Sequence, residues 1–248
     1  MIKEAIKYLM ELGIKPKDRI VKDPYWCRSL AIDSEGRITA IPDKEITIAK
    51  KELCFSTLIS LIDYIKSNLD TADGAYYIHI SNPENVYLRG VLLPDGNRET
   101  LAVASPLLPG FYFGSFYESE EMNIALQSKF VKTEDCEILL QVLGNLVEEN
   151  VKNTGDDGIS QSVIMRQGVT SREETKVPNP VTLAPYRTFI EIAQPESKFI
   201  FRMKEGPKAA IFEADGGAWR NEAIHNIRVF LMEHLSDEIE NGKITILA

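Results

Sequence analysis

The chain has 248 residues, 44% hydrophobic and 26% charged, which fits one large domain or two small ones with a true core. Its 37 acidic and 28 basic side chains leave a net charge of -9, which argues against a broad nucleic-acid-binding face, because neutralising phosphates takes clustered Lys and Arg. Cys27, Cys54 and Cys136 form no CxxC pair and no disulfide framework, and no apolar run approaches the roughly 18 residues of a membrane span.

Ile2, Ala5, Ile6, Leu9 and Leu12 recur at helical spacing. With Gly13 and Pro16 behind them they predict a short first helix rather than a secretory leader. Residues 25–32 and 37–41 read as two strands around an Asp33-Ser34-Glu35-Gly36 turn. Leu58, Leu61, Ile62, Ile65 and Leu69 form one helical face with Ser56 as the expected N-cap. Residues 76–80, 86–92 and 99–104 are strands, the last two joined through Pro94-Asp95-Gly96-Asn97.

Residues 105–114 hold two prolines, two glycines, two phenylalanines and a tyrosine. Such a loop is too apolar to be a free linker and is expected to pack on the body or on a partner subunit. Ser119 is the expected cap of a helix carrying Met122, Ala125, Leu126 and Phe130. Thr133 begins another, whose apolar positions (Ile138, Leu139, Leu140, Val142, Leu143, Leu146, Val147) cover more than one stripe. That pattern implies burial from two sides, within the fold or at an interface.

Asn153-Thr154-Gly155-Asp156-Asp157-Gly158 is the sharpest break in the chain. It divides a mixed region, 1–152, from a strand-rich region, 153–248, as two domains or as halves of one. A long hairpin is expected over 160–177, a strand over 189–193 and a turn at Gln194-Pro195-Glu196-Ser197. Phe199, Phe201 and Met203 then face one way and Arg202 and Lys204 the other. Residues 209–213 form the next strand, Trp219, Ala223, Ile227, Phe230, Leu231 and Leu235 the last helix, and 243–247 a closing strand. The sum is an α+β fold: antiparallel strands and hairpins with helices packed on one side.

No complete catalytic set stands out. Neither GxxxxGK[ST], GxGxxG nor GxSxG occurs, and His79, His225 and His234 lack metal-ligand spacing, so no catalytic residue, cofactor or metal is assigned. The candidates for a ligand site are Arg187, Glu213 and Asp215. An Arg can bind an anion, although a local ion pair with Glu191 is the plainer reading; the two acids end a strand before Gly216-Gly217, where Asp also favours a helix N-terminus. The interface candidates are Phe111, Tyr112 and Phe113 in the aromatic loop and Leu139 and Leu143 on the apolar helix.

In the C-terminal half, Asp156-Asp157-Gly158-Ile159-Ser160-Gln161, Leu183-Ala184-Pro185-Tyr186-Arg187-Thr188-Phe189, Gln194-Pro195-Glu196-Ser197, Phe199-Ile200-Phe201-Arg202 and Phe212-Glu213-Ala214-Asp215-Gly216-Gly217-Ala218-Trp219 follow one another. In order and spacing this series resembles the YfdQ-like proteins of tailed phages and prophages. A weaker likeness extends to residues 113–130. The resemblance implies a phage or prophage origin and expression in the host cytoplasm, and it hands over no catalytic residues; a virion-related particle is the other expected location. The expectation is a non-catalytic, self-associating protein, a closed homo-oligomer or, more sharply, a capsid-like shell. The alternatives are an accessory of phage recombination or defence evasion that binds a phage or host protein or single-stranded DNA, and an enzyme or binder of a phosphorylated or nucleotide ligand. Membrane is not an expected partner, and nucleic acid is disfavoured by the charge.

Overall fold

A computed structural model describes residues 3, 4, 8, 20–23, 28–32, 37–41, 49–71, 74–93, 96–144, 162–167, 171–204 and 206–248. The first helix's apolar positions, the turns at Asp33 and Pro94, and the break at Asn153-Gly158 lie outside them. The fold is α+β, as the alternating patterns predict. Two compact units divide the chain: Met1–Lys51 with Val91–Glu99, and Glu52–Gly90 with Thr100–Ala248.

The first unit carries a three-stranded antiparallel meander of β1 (Ile20–Asp23), β2 (Arg28–Ile32) and β3 (Ile38–Ile41). The expected hairpin is present, with Ile32 opposite Ile38.

The second unit has two hydrophobic cores. Core 1 lies on a five-stranded sheet of order β15-β5-β6-β7-β4, built from β4 (Leu53–Phe55), β5 (Tyr76–Asn82), β6 (Asn85–Leu92), β7 (Arg98–Ala104) and β15 (Ile244–Leu247). Ile78, Ile80, Val86 and Leu88 alternate onto one face, as a half-buried strand requires. On that face pack α1 (Leu58–Ser67), through Leu58, Leu61, Ile62 and Ile65, and α4 (Trp219–His234), through Ile227 and Leu231. The cap of α1 is Thr57 and not Ser56: its side chain accepts from the Ser60 amide at 3.1 Å. Both edge strands pair in parallel, β15 with β5 and β4 with β7, whereas only antiparallel pairing was expected.

Core 2 lies on the sheet β8-β14-β13-β12-β9: β8 (Tyr117–Glu118), β9 (Phe130–Val131), β12 (Val181–Pro185), β13 (Ser197–Lys204) and β14 (Lys208–Glu213). Phe199, Phe201 and Met203 face inward as predicted. They meet α2 (Ser119–Lys129), with Met122 and Leu126, and α3 (Glu134–Gly144), with Cys136, Leu139, Val142 and Leu143. Thr133 caps α3 through the Cys136 amide at 3.2 Å. Ser119 is the first residue of α2 rather than its cap, and no side chain caps that helix. The expected hairpin is β10 (Ser162–Gln167) against β11 (Ser171–Lys176). A short helix α5 (Ser236–Glu240) precedes β15. No helix among the described residues is long and apolar enough to cross a membrane.

Two further readings need correction. Leu139 and Leu143 are buried at 0% and 4% exposure by their own chain, with Val181, Leu183 and Phe199 among the core around them, so they are not available to another copy. Residues 189–193 are not a strand. The Gln194 side chain takes the backbone partners that a neighbouring strand would supply: its amide donates to the carbonyls of Phe189 (2.9 Å) and Ile192 (3.3 Å), and its oxygen accepts from the amides of Arg187 (3.1 Å) and Thr188 (3.3 Å). The result is an irregular strap over 186–196.

Candidate functional site

The β13–β14 hairpin decides which charges meet. Its register sets Phe199 opposite Glu213, so the start of β13, Ser197, comes level with the end of β14 and with Asp215 beyond it. Arg187 leaves the end of β12 and reaches into this corner. The three ligand candidates, Arg187, Glu213 and Asp215, are therefore gathered into one cluster, with Ser197 and Trp219 as members that the sequence reading did not assign to it.

Arg187 is 7% exposed. One guanidinium nitrogen, Nη1, donates to Glu213 Oε1 at 3.2 Å, and the other, Nη2, to Ser197 Oγ. Ser197 passes its own proton to Asp215 Oδ2 at 2.9 Å. The guanidinium also lies 4.0 Å from the centroid of the Trp219 ring and 5.6 Å from that of Phe199. Cation–π contact of this kind strengthens when water is excluded. Glu191, the expected partner, is elsewhere: its Oε1 accepts from the amides of Leu58 at 2.7 Å and Ile59 at 3.4 Å, at the start of α1. A carboxylate there satisfies orphan helix donors and complements the helix dipole, which outweighs a short-range pair with Arg187.

Burial is the main influence on Arg187 and pulls its pKa down to about 10, against the attraction of Asp215 and Glu213. The group remains charged at neutral pH. For Asp215, partial burial pushes the pKa up, but the amide of Gly217, the Ser197 hydroxyl, the amide of Trp219 and the Arg187 charge together outweigh that and hold it below the usual value. Asp215 Oδ1 accepts from Gly217 N at 2.9 Å and Oδ2 from Trp219 N at 3.3 Å, so this carboxylate closes the turn that launches α4. Gly217 has φ +82° and a Cβ there would run into the Arg220 guanidinium, so only glycine fits without strain.

A depressed folded-state pKa means that the Asp215 contribution to stability is complete above the unfolded value of about 3.9 and is lost as pH falls through the lower folded value. Asp215→Asn is accordingly expected to cost about 1 kcal/mol at pH 7, as the loss of a charge-assisted cap does. In urea unfolding followed from pH 7 to pH 3, the gap between the variant and the parent should narrow below about pH 4. A gap of constant size across that range would show that the carboxylate's charge is not what stabilises the turn.

Chemically, the cluster sets one cation against two carboxylates, one direct and one through a hydroxyl, while Arg187 Nε and Trp219 Nε1 are buried without a hydrogen-bond partner among the described residues. Among the described residues no group of three His, Cys, Asp or Glu side chains is placed to hold a metal ion.

The aromatic loop is the second candidate. Phe111 contacts Phe113, Tyr117 and Phe130 with ring centroids 5.0 to 5.2 Å apart, and Phe113 stacks on Phe199 at 5.2 Å. Both rings are partly buried and packed against core 2. Tyr112, between them, is 76% exposed, and Leu107 is 82% exposed. The Tyr117 hydroxyl fixes the Tyr112 backbone on both sides, accepting from its amide at 3.1 Å and donating to its carbonyl at 3.3 Å.

No family model, curated protein or solved structure matches the chain.

Proposed function

We propose that the chain is a non-catalytic, self-associating protein of phage or prophage origin. The observation that carries this reading is the aromatic loop: Phe111 and Phe113 anchor it in core 2, while Leu107 and Tyr112 stand out in water on backbone held by Tyr117. A ring presented on pre-ordered backbone loses little entropy on docking, and tyrosine combines apolar area with a polar tip. The Arg187 cluster supports the non-catalytic part, because both Nη atoms of its guanidinium already have acceptors from the same chain. A closed homo-oligomer is the default assembly, and a capsid-like shell its larger form. Expression in the host cytoplasm or a virion-related particle belongs to the same proposal, which rests on the likeness to YfdQ-like proteins.

Sedimentation velocity of the parent and of Leu107→Ser/Tyr112→Ser at equal micromolar concentration tests the role of the loop. The parent should run as an assembly and the variant as a species of lower mass with an unchanged unfolding midpoint. Identical sedimentation of the two would remove the loop from the interface.

A further inference from the structure

The two cores of the second unit are not interleaved along the chain. Described members of core 2 run from Phe111 to Ile211. Those of core 1 come from both sides, Phe55 to Ala104 and Ile224 to Ile246, with two exceptions, Phe189 and Ile192. The described helices and strands of each core make their principal contacts within that core. Core 2 is thus an insert carried by two chain links. One, at 105–110, contains Pro106, Pro109 and Gly110; the other contains Gly216 and Gly217, with φ of +64° and +82°.

The strap is the third connection. It leaves the insert between β12 and β13 and enters core 1, where Phe189 is fully buried and Ile192 is 8% exposed. Thr188 Oγ1 donates to the Pro83 carbonyl at 2.6 Å, and Glu191 caps α1. Asn226 Nδ2, on α4, donates to the Ala193 carbonyl at 3.2 Å. Gln194 holds the strap in shape, and Arg187 ties its root to Asp215, beside the glycine link, through Ser197.

We infer that the described residues between 111 and 211, the strap excepted, form a hinged insert, latched to core 1 by the 186–196 strap. The links supply the pivot, and the strap's side chains supply the lock. Breaking the polar grip leaves the strap held to core 1 by the burial of Phe189 and Ile192, a weaker latch that opens more often and lets the insert move as a body while the rest of each core keeps its packing. The inference depends on the two cores alone and stands or falls separately from self-association.

Hydrogen exchange read by mass spectrometry on the full chain tests it, comparing the parent with Thr188→Val/Glu191→Gln. Exchange should rise about tenfold in the strap and rise as well in the first turn of α1, whose remote cap loses its charge. Protection in β13, β14, β5 and β6 should stay at the parental level, and the radius of gyration from small-angle scattering should increase. An equal rise in β13 and β14, or an unchanged strap, would overturn the latch. If the double variant fails to fold, Glu191→Gln alone gives the same two outcomes at smaller amplitude.

Discussion

Arg187→Ala is expected to cost about 3 kcal/mol of stability, at the lower end of what breaking a buried charge pair costs. Three losses add up. Glu213 loses its ion pair, Ser197 loses its donor, and the Trp219 and Phe199 rings lose the cation that covers them. These are not equal. The Glu213 side chain is 38% exposed, so water rescues it, and that pair alone is worth roughly 1 kcal/mol or less. The larger part comes from the buried end of the guanidinium. A double-mutant cycle with Glu213→Gln separates the terms: the coupling should stay near 1 kcal/mol, with most of the Arg187→Ala loss remaining in the Glu213→Gln background. A coupling that accounts for the whole loss would make this an ordinary ion pair. Arg187→Lys should not restore stability, because an ammonium cannot lie flat on Trp219 while reaching Glu213 and Ser197 together.

Leu139→Ala is expected to cost about 2–5 kcal/mol, the range for a fully buried leucine whose cavity does not collapse. In a chain of this size that lowers the melting temperature by roughly 5–15 °C. The oligomeric state of the folded variant should be that of the parent, since Leu139 is fully buried in core 2 of its own subunit. Thermal unfolding followed by circular dichroism, with sedimentation of the folded sample, checks both halves. Loss of assembly without loss of stability would return α3 to the interface.

The inward face of β13 and the apolar stripes of α1 and α4 were readable because period two and period 3.6 leave their mark on neighbouring residues. The apolar surplus on α3 was readable too, but not what meets it. Part of the cover is β12, and its five residues follow Pro178-Asn179-Pro180, which reads as a break rather than as the approach to a strand. Arg187, Glu213 and Asp215 were legible as a candidate set from residue type and position at strand ends. Their mutual geometry was not, because it depends on the register of the β13–β14 hairpin. Ser197 and Trp219 escaped for the same reason: a serine in a turn and a tryptophan on an apolar stripe each have a complete local explanation. The strap was misread as a strand because Phe189-Ile190-Glu191-Ile192 is rich in aromatic and β-branched residues, and the Gln194 side chain, which holds it irregular, leaves no such mark on the sequence. The parallel edge strands join distant segments, which periodicity cannot report.

The residues on which the proposed resemblance to YfdQ-like proteins rests largely coincide with this corner. Arg187, Thr188, Phe189, Gln194, Ser197, Phe199, Glu213, Asp215, Gly217 and Trp219 all belong both to the quoted runs and to the strap or the cluster around it.

The central claim is that the Arg187 cluster is a closed joint and not an open anion site. Nuclear magnetic resonance of the Arg187 guanidinium in the full-length protein tests this most directly, with inorganic phosphate as the added ligand. Separate, slowly exchanging Nη proton signals that stay in place as phosphate is added are the predicted result. A single averaged signal that moves with phosphate concentration would mean that the cation is free to bind, and the account of the joint would be wrong.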